Sequence, residues 1–364
     1  MGLEISLIGG LKMKFIAMHL PQYHAIPEND KWWGKGFTDW NNVKKAKPLF
    51  KGHQQPLVPL DGNYYDMKDL NTLKQQSILA KKFGVHGFCY YHYWFNGKML
   101  LEKPCEILLN NPDIDQNYCM CWANETWART WDGKDTDILI KQEFGGLDDW
   151  NHHIQYFIPF FKDKRYIKID GRPVLFFYSC SRIEKFNEMI DYWNDQLNME
   201  GLKNIYVVEF VNSFNNGKQK INSDVLVEFE PHCASRYSVS NFVKAKRLIC
   251  KKLGLTDILS YDYIWKKLIN NKETYNGKRL WRGAFVSFDN SPRKGKKGMI
   301  LKGATPEKFE KYLKMLCEDD RRNYVDDIVV INAWNEWAEG AVLEPTEQNK
   351  YAYLESIQNL NRIL

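Results

Sequence analysis

The sequence predicts a (β/α)8 barrel, an α/β fold, with a long insertion between its sixth and seventh strands. Three observations predict it. Short β-rich runs alternate with amphipathic helical stretches, which is the pattern of parallel α/β architecture. The strand-like runs number eight, as a barrel of this type requires. Polar and aromatic residues crowd in after most of these runs, and in a barrel the C-terminal strand ends meet at one mouth. A length of 364 residues suits either one large barrel or two domains of ordinary size. The strand count makes it one.

The first run is Phe15 to Met18, followed by a long loop rich in Trp, Gly and Pro and a helix from Asp69 to Phe83. The second is Gly87 to Tyr91, with a helix near Glu102 to Leu109, and the third is Tyr118 to Trp122, with a helix near Leu147 to Phe161. Pro173 to Tyr178 is the fourth, before a helix from Arg182 to Leu197. Ile205 to Phe210 and Val225 to Phe229 are the fifth and sixth. Ala284 to Phe288 is the seventh, before a helix from Pro306 to Glu318. The eighth, Asp327 to Ala333, leads to a closing helix from Gln348 to Ile363.

Residues 1–13 read as an N-terminal extension: apolar but short, without a basic start, and neither a signal peptide nor a membrane span. Residues 14–364 form the single catalytic domain, and 233–280 form the insertion, longer than a barrel connection needs. The insertion carries Lys244-Ala-Lys246-Arg247 and Lys251-Lys252, and a further basic stretch runs from Arg293 to Lys297. These are either a solvated helical excursion or a lid facing an anionic substrate or a lipid-phosphate surface. The cytoplasm is the expected location.

Hydrophobic residues make up 44% and charged residues 26%, as in a soluble protein with a substantial core. Aromatic residues reach 15%, with 13 Trp and 20 Tyr; their faces suit the C–H faces of sugars and their polar tips suit hydroxyls. A net charge of +6 permits an anionic partner without demanding nucleic acid, and no nucleic-acid module is evident. None of the eight cysteines forms a C-x-x-C pair, which predicts reduced, buried thiols rather than zinc or disulfides. There is no dinucleotide fingerprint or P-loop, and no cofactor is expected.

The chemistry concentrates in Trp334-Asn335-Glu336-Trp337-Ala338-Glu339-Gly340. Cleaving a glycosidic bond needs one group to protonate the departing oxygen and another to assist attack, usually two carboxyls. Glu336 and Glu339, three apart after an apolar strand, fall on one side if the chain coils there. Two close carboxyls also separate each other's proton affinities. Trp334 and Trp337 offer platforms for a sugar ring, and Asn335 a hydroxyl contact.

Other strand ends supply further candidates for substrate binding: His19, Tyr23 and His24 after the first, Tyr91, His92 and Trp94 at the second, and Asn124, Glu125 and Trp127 after the third. Glu230 and His232 follow the sixth strand and Asp289 the seventh. Glu125 is either catalytic or a ligand of sugar hydroxyls, with binding favoured. The histidines lack a metal-ligand spacing such as H-E-x-x-H, so no metal is expected. Asp113-Ile-Asp115 and Asp135-Thr-Asp137 resemble the metal-nucleotide triplets of sugar-nucleotide transferases, without the strand–helix context those triplets need.

Several segments resemble the WbsX family: Leu20 to Asp30, Trp33 to Trp40, Phe88 to Phe95, Trp122 to Glu125, Trp131-Asp132-Gly133, Asp289 to Arg293, and Trp334 to Gly340. That family is labelled a glycosyltransferase, is associated with bacterial O-antigen and capsule gene clusters, and is similar to glycoside hydrolase family ninety-nine, the endo-α-mannosidases. The resemblance implies a (β/α)8 barrel. It also implies that Glu336 takes the proton of a sugar 2-hydroxyl, giving an epoxide-like intermediate. Glu339 would protonate the leaving oxygen and then activate water or an acceptor hydroxyl, with net retention. Ala338 stands where the mannosidases usually carry His, which puts mannose specificity in doubt.

The expected function is therefore retaining chemistry on glycosidic bonds of a bacterial surface polysaccharide (O-antigen or capsule) or its lipid-linked precursor. The partner is an oligosaccharide or polysaccharide, with peripheral membrane contact and no transmembrane segment. The rivals are a sugar-nucleotide-dependent transferase of lipopolysaccharide biosynthesis and a non-catalytic glycan-binding protein.

Overall fold

The computed structural model describes residues 13–129, 134–213, 215–219 and 221–363. The extension through residue 12 and the Trp131-Asp132-Gly133 segment lie outside the described residues. Eight parallel strands close a barrel: β1 Lys14–His19, β2 Gly87–Phe95, β3 Tyr118–Trp122, β4 Arg172–Phe177, β5 Tyr206–Val211, β6 Val225–Glu228, β7 Leu280–Phe285 and β8 Tyr324–Asn332. Closure comes from β1, which pairs with β2 on one side and with β8 on the other, Lys14 opposite Ile328 and Ala17 opposite Ile331. The strands are near-continuous apolar runs because helices cover the outer face and side chains fill the interior. The apolar core is continuous through barrel and helices.

Helices alternate with the strands: α1 Leu70–Phe83, α2 Lys103–Asn110, α3 Leu147–Lys162 and α4 Phe186–Met199 follow β1 to β4 in turn. Asp69 caps α1 by accepting from Asn71 N–H, and Gly84 ends it at φ 81°, the left-handed stop that glycine supplies most easily. The described residues between β5 and β6 form no helix.

After β6 come a π-helical turn, Ala234–Ser238, then α5 Asn241–Lys252, a short strand Asp257–Ser260, and α6 Tyr261–Ile269. The region 233–280 thus divides in two. Tyr261, Ile264, Trp265 and Leu268 of α6 are buried, and Tyr261 donates to the Val286 carbonyl at 2.8 Å, so α6 serves as a barrel helix. No residue of α5 is buried. Helices α7 Pro306–Cys317 and α8 Ala352–Ile363 follow β7 and β8.

Strand β7 starts and ends earlier than the sequence suggests, at Leu280–Phe285 rather than Ala284–Phe288. Arg282 reads as a break in an apolar run. Its buried guanidinium instead donates to the Leu316 and Asp319 carbonyls at 3.0 Å each, satisfying carbonyls at the C-terminus of α7. Gly283 is required beside it: a Cβ there would lie 2.0 Å from the Glu228 carbonyl oxygen of β6. All eight cysteines are free thiols, and all but Cys250 are buried.

Candidate active site

The segment after β8 forms a tight hairpin whose turn coils, as the Glu-x-x-Glu spacing anticipates, though as a single 3-10 turn. Asn335–Glu336 pairs antiparallel with Ala341–Val342, and Trp337–Glu339 makes a 3-10 turn between them. Gly340 closes the turn at φ 61°, where a side chain would also press on Asp289 backbone. Asp289 in turn donates its backbone N–H to the Glu339 carbonyl at 2.6 Å. The loops after β7 and β8 are thus locked together before any side chain is considered.

Arg293 gathers the carboxyls. It sits on the short helical turn Ser291–Lys294 after β7. It donates to Glu339 Oε1 at 2.7 Å, Glu336 Oε2 at 3.2 Å and Asp39 Oδ2 at 2.6 Å. Asp39 is fully buried. Burial pushes the Glu336 carboxyl up to about 8, with the Glu339 and Asp39 charges adding to the effect and Arg293 opposing it. One cation among three carboxyls leaves a shared proton as the cheapest state.

Both glutamates open onto a cavity of about 300 Å³. Tyr91, Glu125, Trp127 and His232, all expected from the sequence, also line it. Burial raises Glu125 to about 7, against the pull of Arg182 3.7 Å away, and lowers the proton affinity of His232. Trp127 lies on a hairpin, Trp127–Arg129 against Lys134–Ile140, which walls one side.

The other candidates do not line this cavity. Trp334 and Trp337 are wholly buried and donate their indole N–H groups to Glu344 at 2.9 and 2.8 Å, so neither is a sugar platform. Asn335 accepts from Leu20 N–H at 2.7 Å and donates back to the Leu20 carbonyl at 3.0 Å. Tyr23 donates to the Asn335 carbonyl at 2.6 Å and accepts from Trp337 N–H. Asn124 ties to Ser179 through both amide atoms. These residues shape the loops rather than facing the cavity.

His19 contacts Gln76 at 3.1 Å, and His24 is buried away from the cavity, its proton affinity lowered by burial to about 4. His92 pairs with His153 at 2.9 Å, and Trp94 stacks on His153 and donates to Asp149 at 2.9 Å. Glu230 accepts from Ala234 N–H at 3.0 Å. The Asp289 carboxylate takes His53 and Gln55, each at 2.7 Å.

Sequence reasoning missed Arg293 as a site residue, although it stands both in a basic stretch and in the Asp289 to Arg293 segment that resembles the WbsX family. It also missed Asp39, Tyr93, Tyr178 and Asn29. Asn29 and Gln22 line the cavity. Among the described residues nothing hydrogen-bonds to Gln22 Nε2 or to either side-chain atom of Asn29, all buried. Buried amides left unpaired by the protein are costly unless a ligand satisfies them. Among the described residues no three His, Cys, Asp or Glu side chains gather as a metal-ligand set. The Asp113–Asp115 triplet lies in the loop before β3, where its carboxylates pair with Lys74 and Lys81, at the end of the barrel opposite the cavity.

The family model described as glycosyltransferase WbsX matches residues 15–357. The chain belongs to the WbsX family. It is 35% identical over 97% of its length to a Xanthomonas campestris pv. campestris protein named uncharacterized protein WxcX, of which it covers 50%; the chain spans about half the length of the curated relatives it matches. Among solved structures, a glycoside hydrolase-like protein superposes with a TM-score of 0.56 at 13% identity, covering 96% of this chain and 94% of the other. The GH99 endo-alpha-mannosidase of Bacteroides thetaiotaomicron superposes at 0.54 with 12% identity, covering 96% of each chain. At such identity these likenesses speak for the WbsX fold alone.

Proposed function

We propose that the chain is a carbohydrate-active enzyme that cleaves or transfers glycosidic bonds of a bacterial surface polysaccharide or its precursor, with retention of configuration. The observation that carries this reading is the Arg293-linked pair of carboxyls, Glu336 and Glu339, opening onto one aromatic cavity. Glu336, the more deeply buried of the two, is the base. It takes the proton of the sugar 2-hydroxyl as that oxygen attacks the anomeric carbon. Glu339, the more accessible, gives its proton to the glycosidic oxygen as the bond to it breaks.

A 1,2-anhydro sugar results. Glu339, now ionised, removes a proton from water or an acceptor hydroxyl, whose oxygen opens the three-membered ring. Glu336 returns its proton to the 2-oxygen. Two inversions give retention. Arg293 favours the ionised state of each carboxyl in turn and costs no reorganisation, being already held by Asp39. Asn29 and Gln22 offer hydrogen bonds to hydroxyls, and Trp127 and Tyr178 offer ring faces. The name of the family supports transfer, in which the acceptor is a sugar hydroxyl rather than water; the same residues serve both.

The test is a screen of bacterial surface polysaccharides and their repeat units, read by mass spectrometry. The wild-type chain turns over at least one of them, and Glu336→Gln and Glu339→Gln each lower the rate by about 10²–10⁴-fold with the fold intact. Calorimetric binding of a sugar nucleotide with no oligosaccharide turnover contradicts the reading.

A further inference from the structure

Helix α5 is an amphipathic helix turned inside out relative to its neighbours. Its body-facing side is thin: Val243, Arg247 and Cys250 are half-buried, and every other residue is exposed. Arg247 makes the attachment, donating to Asp257 at 2.7 Å and to the Ser235 carbonyl. The outward side is apolar. Phe242, Leu248, Ile249, Leu253 and Leu255 are between 55 and 80% exposed. Phe242, Ile249 and Leu253 fall at i, i+7 and i+11, which places them on one stripe of a helix with 3.6 residues per turn. Lys246 and Lys252 flank that stripe, and Lys244 and Lys251 lie together on the far side of Leu248. A core helix buries such a stripe; a solvated helix does not carry one.

A basic turn lies beside α5. Residues Asp257–Ser260, just after α5, pair with Met299–Lys302, and Asp257 N–H donates to the Gly298 carbonyl. The turn that ends there begins with Arg293, whose side chain reaches inward to Glu336 and Glu339. Its other cations, Lys294, Lys296 and Lys297, are exposed. Two lysine groups and an apolar stripe therefore neighbour the segment that carries Arg293. No helix among the described residues is long and apolar enough to cross a membrane.

We propose that α5 is an interfacial helix that seats this face of the chain on an anionic lipid surface. Phe242, Ile249 and Leu253 enter the boundary between headgroups and acyl chains. The flanking lysines lie along it with their ammonium groups among lipid phosphates, as amphipathic interfacial helices do. The Lys294–Lys297 turn adds charge attraction beside it. Charge complementarity selects this occupant over a second copy of the chain, since two lysine-rich faces repel. The proposal stands apart from the chemistry of Glu336 and Glu339, which an enzyme acting on soluble glycan would perform equally.

The test is co-flotation of the full chain with vesicles of phosphatidylcholine alone and of phosphatidylcholine mixed with phosphatidylglycerol, at low and high salt. The chain floats with the mixed vesicles and not with neutral ones. The combined variant Phe242→Ser, Ile249→Ser, Leu253→Ser lowers the partition constant at least about a hundredfold with an unchanged thermal midpoint, because α5 has no buried residue. Lys246→Glu with Lys251→Glu also abolishes flotation. Three results overturn the proposal: no flotation with mixed vesicles, binding that survives the apolar replacements, or a wild-type dimer in light scattering that those replacements dissociate.

Discussion

The Arg293 guanidinium donates to the buried Asp39 carboxylate at 2.6 Å, so the loop after β1 fixes the cation that stands between Glu336 and Glu339. Arg293 is therefore bound first by a residue that has no opening to the cavity, and its position does not depend on a substrate.

Arg293→Met leaves the buried Asp39 and Glu336 carboxyls, with Glu339 beside them, around an apolar side chain. Removing one partner of a buried ion pair costs about 3–5 kcal/mol. Urea unfolding shows a loss of that order, together with a fall in kcat/KM. Arg293→Lys keeps the charge but loses the planar fork that reaches three acceptors. It recovers stability in part and activity hardly at all.

The pH dependence follows from Glu336. The step needs Glu336 ionised while Glu339 keeps one proton, so kcat/KM falls as pH rises past about 8, where the burial-raised Glu336 marks loss of the pair's last proton. The Asp39 charge adds to the raised proton affinity of Glu336, so Asp39→Asn moves this falling limb toward acid pH. For Glu125, raised in the folded state to about 7, the stability sign is opposite to that of a salt-bridged acid. The folded chain binds more protons than the unfolded one between the two values, so stability falls as pH rises through that window. Glu125→Gln flattens this slope in urea unfolding while leaving the falling limb of kcat/KM in place.

Glu344 holds the hairpin from beneath, accepting from Tyr65, Gln76, Trp334 and Trp337 at 2.6–2.9 Å. Glu344→Gln turns an amide N–H₂ toward donors. Differential scanning fluorimetry registers a loss of about 2–4 kcal/mol. Trp337→Phe removes one of those donors and lowers stability by about 1–3 kcal/mol without changing KM. A rise in KM with stability unchanged would return Trp337 to the role of sugar platform.

In the cavity, Asn29→Ala removes amide atoms that no described residue satisfies. It costs the fold little and raises KM about fivefold, the value of one hydrogen bond to a hydroxyl. Trp127→Ala raises KM further, with kcat less affected.

Much of the fold was legible because parallel barrel strands are apolar on both faces. Tyr118 to Trp122 is read with its boundaries intact. Strand β7 was misplaced because Arg282 bonds to carbonyls more than thirty residues away, a partner no local pattern reveals. The glutamates were legible as a pair because the chain coils between them in one 3-10 turn; the cation from another loop that joins them was not. Tryptophan identity does not say which way the ring points, and Glu344, whose carboxylate turns Trp334 and Trp337 inward, looks like any surface acid in sequence. Asn29 and Asp39 fall inside segments that resemble the WbsX family, but they lie in a long loop whose path only the tertiary structure defines, so neither reads as a site residue.

The stereochemistry of the first product tests the central claim most directly. Proton NMR of the anomeric signals, recorded from the first minutes of turnover of a responsive polysaccharide, reads it before mutarotation. Retention by the wild-type chain, lost with all turnover in Glu336→Gln, is the result this account predicts. An inverted first product, or retention that survives Glu336→Gln at the wild-type rate, contradicts it.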